Sequence, residues 1–228
     1  MKTLIGEVVK FEYRSEEVCF FIQNKNDIIQ KRHASGVFYE IEELSIIEKY
    51  FEGGVFLDVG TNVGNHAIFA AKYLHPDEII LIEPNQEAID ILDINLRLNE
   101  LKSKIRTDLL GIGLSEKAGK SKVVSQTDNL GGARLVADEQ GGIQLARGDD
   151  LLSGQRIDFI KLDVEGLEIA ALNGLIMTIK RYAPKMFVEV DHRNRDLFLN
   201  FISELDYSVE ETFKRYQYNE NYMVVKNK

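Results

Sequence analysis

The stretch Val55-Phe56-Leu57-Asp58-Val59-Gly60-Thr61-Asn62-Val63-Gly64-Asn65-His66 decides the fold. An apolar run ends in an acidic residue, two glycines follow four positions apart, and a helix-like stretch runs from Ala67 to Leu74. That order describes a buried strand turning tightly into a helix, the corner where nucleotide-like ligands sit in α/β folds. The glycines let the backbone turn and approach a ligand closely. Asn62 is suited to a left-handed conformation, which asparagine tolerates. The plain alternative is a strand–helix turn without a ligand.

The phosphate-binding fingerprint G-x-G-x-x-G wants glycine where this chain has Asn62 and Asn65. A carboxylate at Asp58 repels a pyrophosphate and attracts an ammonium group. S-adenosyl-L-methionine carries an ammonium and a sulfonium and no phosphate, so it fits this turn better than a dinucleotide does. Glu83 ends the next apolar run about twenty residues beyond the glycines, where a carboxylate accepts ribose hydroxyls. Pro84 then stops the strand. An NAD enzyme uses the same acid, so Glu83 indicates a ribose rather than one cofactor, and an NAD-type oxidoreductase stays as an alternative.

Strand and helix patterns alternate on both sides of this corner. Residues 39–51 read as an amphipathic helix ended by Gly53-Gly54. Strands are expected at Val55–Val59, Glu78–Glu83, Ile105–Leu110, Ile157–Val164 and Lys185–Val190. Helices are expected at Gln86–Glu100, from about Leu167 to Arg181, and over Asp196–Leu205. Such alternation implies an α/β fold, a parallel sheet covered on both faces. Tyr207–Phe213 and Tyr222–Lys226 read as a closing antiparallel hairpin, which makes the edge mixed. Residues 1–35 read as a small N-terminal β segment and 36–228 as the main domain. Residues 125–150, rich in glycine and polar side chains, read as a long loop or insert, and loops of this length are usually functional or mobile. Within it, Thr127 to Leu135 reads as a lid over the substrate or as a plain connection.

Two further strand ends carry acidic residues. In Lys161-Leu162-Asp163-Val164-Glu165-Gly166-Leu167-Glu168, alternation puts Lys161, Asp163 and Glu165 on one side, with the two acids at the mouth of the crevice. Carboxylates there can hold the methionine ammonium, orient a substrate, accept a proton or bind a divalent metal. Lys161 can pair with one of them, and Glu168 reads as a solvated helix residue. Glu189-Val190-Asp191-His192 ends the fifth strand, and His192 has the natural pKa for proton transfer near neutrality. His66, after the glycine turn, reads as support for the cofactor. His33 and His75 have no such context. Arg147-Gly148-Asp149 is taken as coincidence.

The 228-residue length suits one domain, and 44% hydrophobic content supports an ordinary core. A formal net charge of −9 disfavours a nucleic-acid partner, whose affinity rests mainly on lysine and arginine. The single Cys19 excludes an intramolecular disulfide and a cysteine-based zinc cluster. No signal-like segment opens the chain and no apolar run approaches the roughly 18 residues of a membrane span, which points to a soluble, cytoplasmic protein.

Four segments together, FLDVGTNVGNHAIFA at 56–70, IEPN at 82–85, DNLGGARL at 128–135 and IDFIKLDVEGLE at 157–168, resemble the FkbM family of methyltransferases. The resemblance runs from about Tyr39 to Asp191, and EVDH at 189–192 looks like the family's acidic strand end. It implies a class I methyltransferase (Rossmann-like) fold with a seven-stranded sheet whose last strand is antiparallel. It implies S-adenosyl-L-methionine at Asp58, Gly60, Thr61, Asn62, Gly64, Asn65, His66, Glu83, Pro84 and Asp163. It further implies O-methylation of a small-molecule, sugar or polyketide hydroxyl, with a base among Asp163, Glu165, Glu189 and His192. Related families use magnesium; this chain lacks an obvious third aspartate for such a site, so no metal ligands are assigned. A non-catalytic member that binds cofactor or partner is the third reading. Residues 1–35 lie outside the match and are left as a substrate or homo-oligomer element.

Overall fold

The computed structural model describes residues 3–124, 130 and 132–228. In chain order the elements are β1 (Glu7–Tyr13), β2 (Glu16–Ile22), α1 (Ile28–Ala34), α2 (Ile41–Tyr50), β3 (Val55–Val59) and α3 (Asn65–Phe69), which runs on through a wider π turn at Ala70–Leu74. Then come β4 (Glu78–Ile82), α4 (Gln86–Leu98), β5 (Ile112–Leu114), β6 (Gly119–Val124), β7 (Arg134–Ala137), β8 (Ile143–Ala146) and α5 (Gly148–Leu151). The chain ends with β9 (Phe159–Leu162), α6 (Glu168–Gly174), α7 (Ile176–Tyr182), β10 (Lys185–Asp191), a 3-10 turn at His192–Asn194, α8 (Arg195–Glu204), β11 (Tyr207–Phe213) and β12 (Asn219–Lys226).

The main sheet has the order β11-β12-β10-β9-β3-β4. β3 is parallel to β4 and β9, β10 is parallel to β9, and β12 is antiparallel to both its neighbours. Every residue of β3 is buried, as a central parallel strand demands. Its alternating side chains feed two cores: Leu57 and Val59 pack with Leu172, Ile179 and Phe198 on one face, and Phe56 packs with Phe20, Phe69 and Leu96 on the other. The α/β architecture with helices on both faces and an antiparallel last strand follows the expectation.

Three expected elements differ. The strand expected at Ile105–Leu110 is reduced to a single bridge, Ile80 with Arg106, so six strands form the ladder and one rung occupies the seventh position. The chain turns back at once, with Leu110 N–H donating to Thr107 O. The helix expected over Leu167–Arg181 is two helices broken at Leu175, where Gly174 lies so close to the Ser115 carbonyl that a Cβ would come within 2.2 Å of its oxygen. The insert expected over 125–150 contributes β7 and β8 to a second sheet of order β5-β8-β6-β7. Thr127, Asp128, Asn129 and Gly131 of the expected lid lie outside the described residues.

Of residues 1–35, expected as a β segment, the first part is a hairpin closed by Arg14 and Ser15, both left-handed (φ 49° and 66°), as a two-residue turn matching strand twist requires. The last part is the unexpected helix α1, started by the Asp27 cap on Gln30 N–H. The hairpin shares the second core through Val18, Phe20 and Ile22. Helix α4 holds it by two buried amides. Asn99 accepts from Cys19 N–H (3.1 Å) and donates to Cys19 O (2.7 Å). Asn95 accepts from Phe21 N–H (2.7 Å) and donates to Val63 O (2.8 Å), so one side chain joins β2 to the glycine turn. Among the described residues no helix is long and apolar enough to cross a membrane.

Asn95→Leu would strand two buried backbone groups at about 1–3 kcal/mol each. Urea unfolding is expected to show a loss of about 2–6 kcal/mol.

Candidate functional site

The turn after β3 is built by contacts that leave little freedom. Gly60 is left-handed (φ 76°), and a Cβ there would fall 1.7 Å from the Asp163 carbonyl oxygen. Asn62 takes the left-handed conformation expected of it (φ 50°). The amides of Gly60 and Thr61 donate to Ile82 O at 2.9 and 3.3 Å, which ties the turn to the end of β4. The Asn62 amide donates to Glu83 Oε2 (2.9 Å), and the Asn85 amide donates to Glu83 Oε1 (2.8 Å).

Below the turn lies a buried ion pair. Parallel register sets Asp58 beside Lys161. The ammonium stands 3.3 Å from Asp58 Oδ1 and 3.8 Å from Asp163 Oδ2, and it donates to Gly60 O at 2.8 Å. Asp58 Oδ2 accepts from Thr61 Oγ1 at 2.8 Å. The ammonium that Asp58 meets is therefore the chain's own.

Two cavities open over the carboxyl ends of β3, β9 and β10, where ligands of open α/β sheets bind. The outer chamber, about 780 Å³ with its open mouth, is lined by Tyr39, Glu40, His66, Glu189, Tyr216 and Asn219 among others. The inner slot, about 610 Å³ counted the same way, is largely apolar, with Pro84, Gly113, Leu114, Leu135 and Val164 around Glu83. Gly60, Asn62, Asp163 and Glu165 line both. A side chain at Gly113 would close the slot, since its Cβ would meet Leu135 Cδ1 at 2.6 Å.

The chamber's acids are crowded. Burial, then the Asp163 carboxylate, pushes Glu40 up to about 8. The same two causes push Glu165 up to about 8 and raise Glu189 well above the usual carboxylate range. Burial pushes Glu83 up to about 7 against the two backbone amides it accepts. His66 is held well below its ordinary value by burial and by the Lys161 charge, so it is neutral. Burial works against the Lys161 ammonium, but Asp58, Asp163 and Glu40 outweigh it and raise its pKa. Among the described residues, no three His, Cys, Asp or Glu side chains are placed to share one metal ion.

The Methyltransferase FkbM domain model matches residues 58–219 of the chain. The chain belongs to the FkbM methyltransferase family. It is 26% identical over 155 residues to methyltransferase sdnD of Sordaria araneosa, covering 52% of this chain and 59% of that protein. It is 26% identical over 178 residues to the hexuronic acid methyltransferase AglP of Haloferax volcanii, covering 75% of this chain and 68% of that protein. The chain thus spans about three fifths to two thirds of the length of these curated relatives. Among solved structures, the FkbM methyltransferase of Methylobacillus flagellatus superposes with a TM-score of 0.54 at 22% identity, covering 75% of this chain and 43% of that one. The tRNA (uracil-54, C5)-methyltransferase of Pyrococcus abyssi, in complex with S-adenosyl-L-homocysteine, gives 0.55 at 17%, covering 96% and 44%. At these identities the structural likeness is one of fold.

Within this FkbM fold most of the sequence-derived site residues converge. Gly60, Thr61, Asn62, Asn65, His66, Asp163, Glu165 and Glu189 line the chamber. Glu83 and Pro84 line the slot. Asp58 and Gly64 line neither; Gly64 (φ 92°) shapes the turn against Leu92, and Asp58 anchors Lys161. His192 stands apart. The chain swings into the 3-10 turn at Asp191, and the exposed imidazole faces a separate hollow with Arg195 and Tyr218, 3.2 Å from Tyr218 O. Glu168, expected to be solvated, is buried and accepts from Gly166 N–H (2.5 Å) and Asn194 Nδ2 (2.6 Å), holding the loop after β9. Glu40, Tyr39, Tyr216 and Asn219 escaped the sequence reading. An acid at a helix start is explained by the helix dipole alone, which hid Glu40.

Lys161→Met leaves the Asp58 carboxylate buried without a counter-charge and is expected to cost about 3–5 kcal/mol in urea unfolding. Adding Asp58→Leu is expected to recover a large part of that loss.

Proposed function

We propose that this chain transfers a methyl group from S-adenosyl-L-methionine to a hydroxyl of a small-molecule, sugar or polyketide acceptor. The observation that carries the reading is the joining of an apolar slot to an acid-lined chamber at Gly60, Asn62, Asp163 and Glu165. A ligand filling both needs a flat apolar end, a ribose and a cationic tail, and no phosphate. Pro84, Leu114 and Leu135 suit the adenine. Each Glu83 oxygen already accepts one backbone amide and keeps a lone pair for a ribose hydroxyl. Asp163, at the junction, suits the ammonium of the methionine end. The same acids disfavour the pyrophosphate of a dinucleotide, which weakens the oxidoreductase reading.

When bound, the donor supplies a methyl group already activated on sulfur. The chain's part is then to align donor and acceptor and to take the hydroxyl proton. The AglP relative is named for a hexuronic acid. In this chain Glu40, Asp163, Glu165 and Glu189 share the chamber with a Lys161 already engaged, which favours an uncharged acceptor over an anionic one. Net charge −9 argues in the same direction against nucleic acid.

Calorimetry with S-adenosyl-L-homocysteine is expected to show binding to the wild type and at least about tenfold weaker binding to Glu83→Ala, one hydrogen-bonded charge being worth about 1.5–3 kcal/mol. Equal affinity of the two proteins would remove Glu83 from the ribose site. Labelled donor offered with neutral hexosides and hexuronic acids is expected to label the neutral set faster.

A further inference from the structure

The outer chamber contains a buried polar atom without a partner. His66 is 7% exposed, and its Nε2 is sealed and makes no hydrogen bond. It faces Glu40 Oε2 across 3.9 Å. That is too long for a hydrogen bond. Two hydrogen bonds of about 2.8 Å meeting near tetrahedrally at one oxygen span about 4.6 Å, so an acceptor oxygen enters this gap once the pair opens by roughly 0.7 Å. A neutral imidazole and a carboxylate across such a gap complement a hydroxyl, which both donates and accepts.

The surroundings single out Glu40 among the chamber's acids. Asp163 and Glu165 line the slot as well as the chamber, so they stand on the donor side. Glu189 is held by Asn219 Nδ2 at 2.8 Å, and burial and Asp163 raise its pKa well above the usual carboxylate range. Glu40 and His66 line the chamber alone. Glu40 is the residue before α2, yet its carboxylate makes no cap bond to that helix, and its backbone is left-handed (φ 55°, ψ 47°). The preceding residue is clamped: Asn65 accepts from Tyr39 N–H (3.0 Å) and donates to Tyr39 O (2.9 Å). The Tyr39 hydroxyl meets that of Tyr216 at 2.5 Å. A rare conformation held from both sides aims this carboxylate into the chamber rather than along its own helix.

We propose that Glu40 is the base for the acceptor hydroxyl and that His66 positions the acceptor oxygen against it; this rests on the methyl-transfer reading above. The acceptor oxygen forms a bond to the methyl carbon. The carbon–sulfur bond breaks with its electron pair left on sulfur, turning the sulfonium into a thioether. The hydroxyl proton passes to the Glu40 carboxylate.

The test needs no knowledge of the acceptor. Sinefungin is a donor analogue in which a carbon bearing an ammonium replaces the sulfonium and its methyl, so it puts a cation where the transferred group lies. S-adenosyl-L-homocysteine has nothing there. The ratio of their dissociation constants reads the charge facing the methyl position. Wild type is expected to prefer sinefungin by about tenfold or more at pH 8.5, as a hydrogen bond to a charged group implies. Glu40→Gln is expected to cut that preference to about threefold or less while changing S-adenosyl-L-homocysteine binding by less than about threefold.

The pH sign follows from the groups around Glu40. Burial, then Asp163 and Glu43, pushes its pKa up, and Lys161 and a hydrogen bond from Tyr39 pull it down; Glu189, itself raised, faces it, and Tyr216 and neutral His66 add no charge near neutrality. Glu40 is neutral below about 8 in the free enzyme. The preference is therefore full above that pH and falls toward pH 6, and Glu40→Gln flattens this dependence.

Glu165→Gln and Glu189→Gln serve as comparators; loss of the preference in either, with Glu40→Gln unchanged, assigns the base elsewhere and overturns the proposal. So does a wild type that binds S-adenosyl-L-homocysteine without preferring sinefungin. Binding of neither compound to the wild type overturns the methyl-transfer reading itself. If Glu40→Gln does not fold, the pH dependence of Glu165→Gln decides, since Glu165 is also pushed up to about 8: a ratio that still falls between pH 8.5 and 6 supports Glu40, and a flat ratio rejects it.

Discussion

The buried contact between Asp58 and Lys161 is the constraint from which the rest of the site is set. Parallel register between β3 and β9 puts an acid and an ammonium side by side where neither reaches water. Burying such charges is costly, and a pair survives only when the remaining hydrogen-bonding capacity is filled. Thr61 takes Oδ2 on the acid side and the Gly60 carbonyl takes a proton of the ammonium, while Oδ1 faces only the ammonium at 3.3 Å. Both partners belong to the turn. Satisfying the pair therefore fixes the turn, and the turn brings the Gly60 backbone against the loop carrying Asp163.

From that junction the two cavities acquire opposite characters. The slot takes its walls from apolar residues of the small second sheet and the β4 end. The chamber takes its walls from strand ends and helix starts that carry acids. Since Lys161 is committed below, the acids above raise one another's pKa, and protons rather than cations relieve the crowding. A cationic ligand entering such a chamber lowers those pKa values and releases protons. A neutral hydroxyl can use the acids directly as acceptors.

How much of this was legible follows from what leaves a trace in sequence. Central parallel strands leave continuous apolar runs, so β3, β4 and β10 could be read nearly to the residue, and β9 lies inside the longer Ile157–Val164 expected for it. The glycine turn and Glu83 were legible because a left-handed backbone and a strand-ending acid are local features. The second sheet was not: β5 is buried but only three residues long, and β7 and β8 have four residues each and are partly exposed, so neither alternation nor an apolar run rises above loop composition. Ile105–Leu110 failed in the reverse way, since its apolar residues are buried without making a ladder. His192 was misplaced because a strand-end position says nothing about which way the following turn carries the side chain.

Glu40 escaped for a deeper reason. Its role depends on backbone conformation and on the distant partners of its neighbour Tyr39, Asn65 and Tyr216, neither of which periodicity can connect to it. Yet its conformation belongs to a pattern. Glu40, Asn62 and Glu165 are all left-handed non-glycine residues, they come from three separate loops, and all three line the chamber. Each costs about 1–3 kcal/mol where it stands and persists only because its surroundings over-determine it. Those surroundings are visible: Asn65 clamps the residue before Glu40, Glu83 takes the Asn62 amide, and Glu168 takes the amide of Gly166 next to Glu165. Buried side chains that the fold alone would not require are spent on holding three backbones in a rare state around one space. Three of the nine left-handed non-glycine residues among the described residues thus border one space, each beside a side chain that holds the loop.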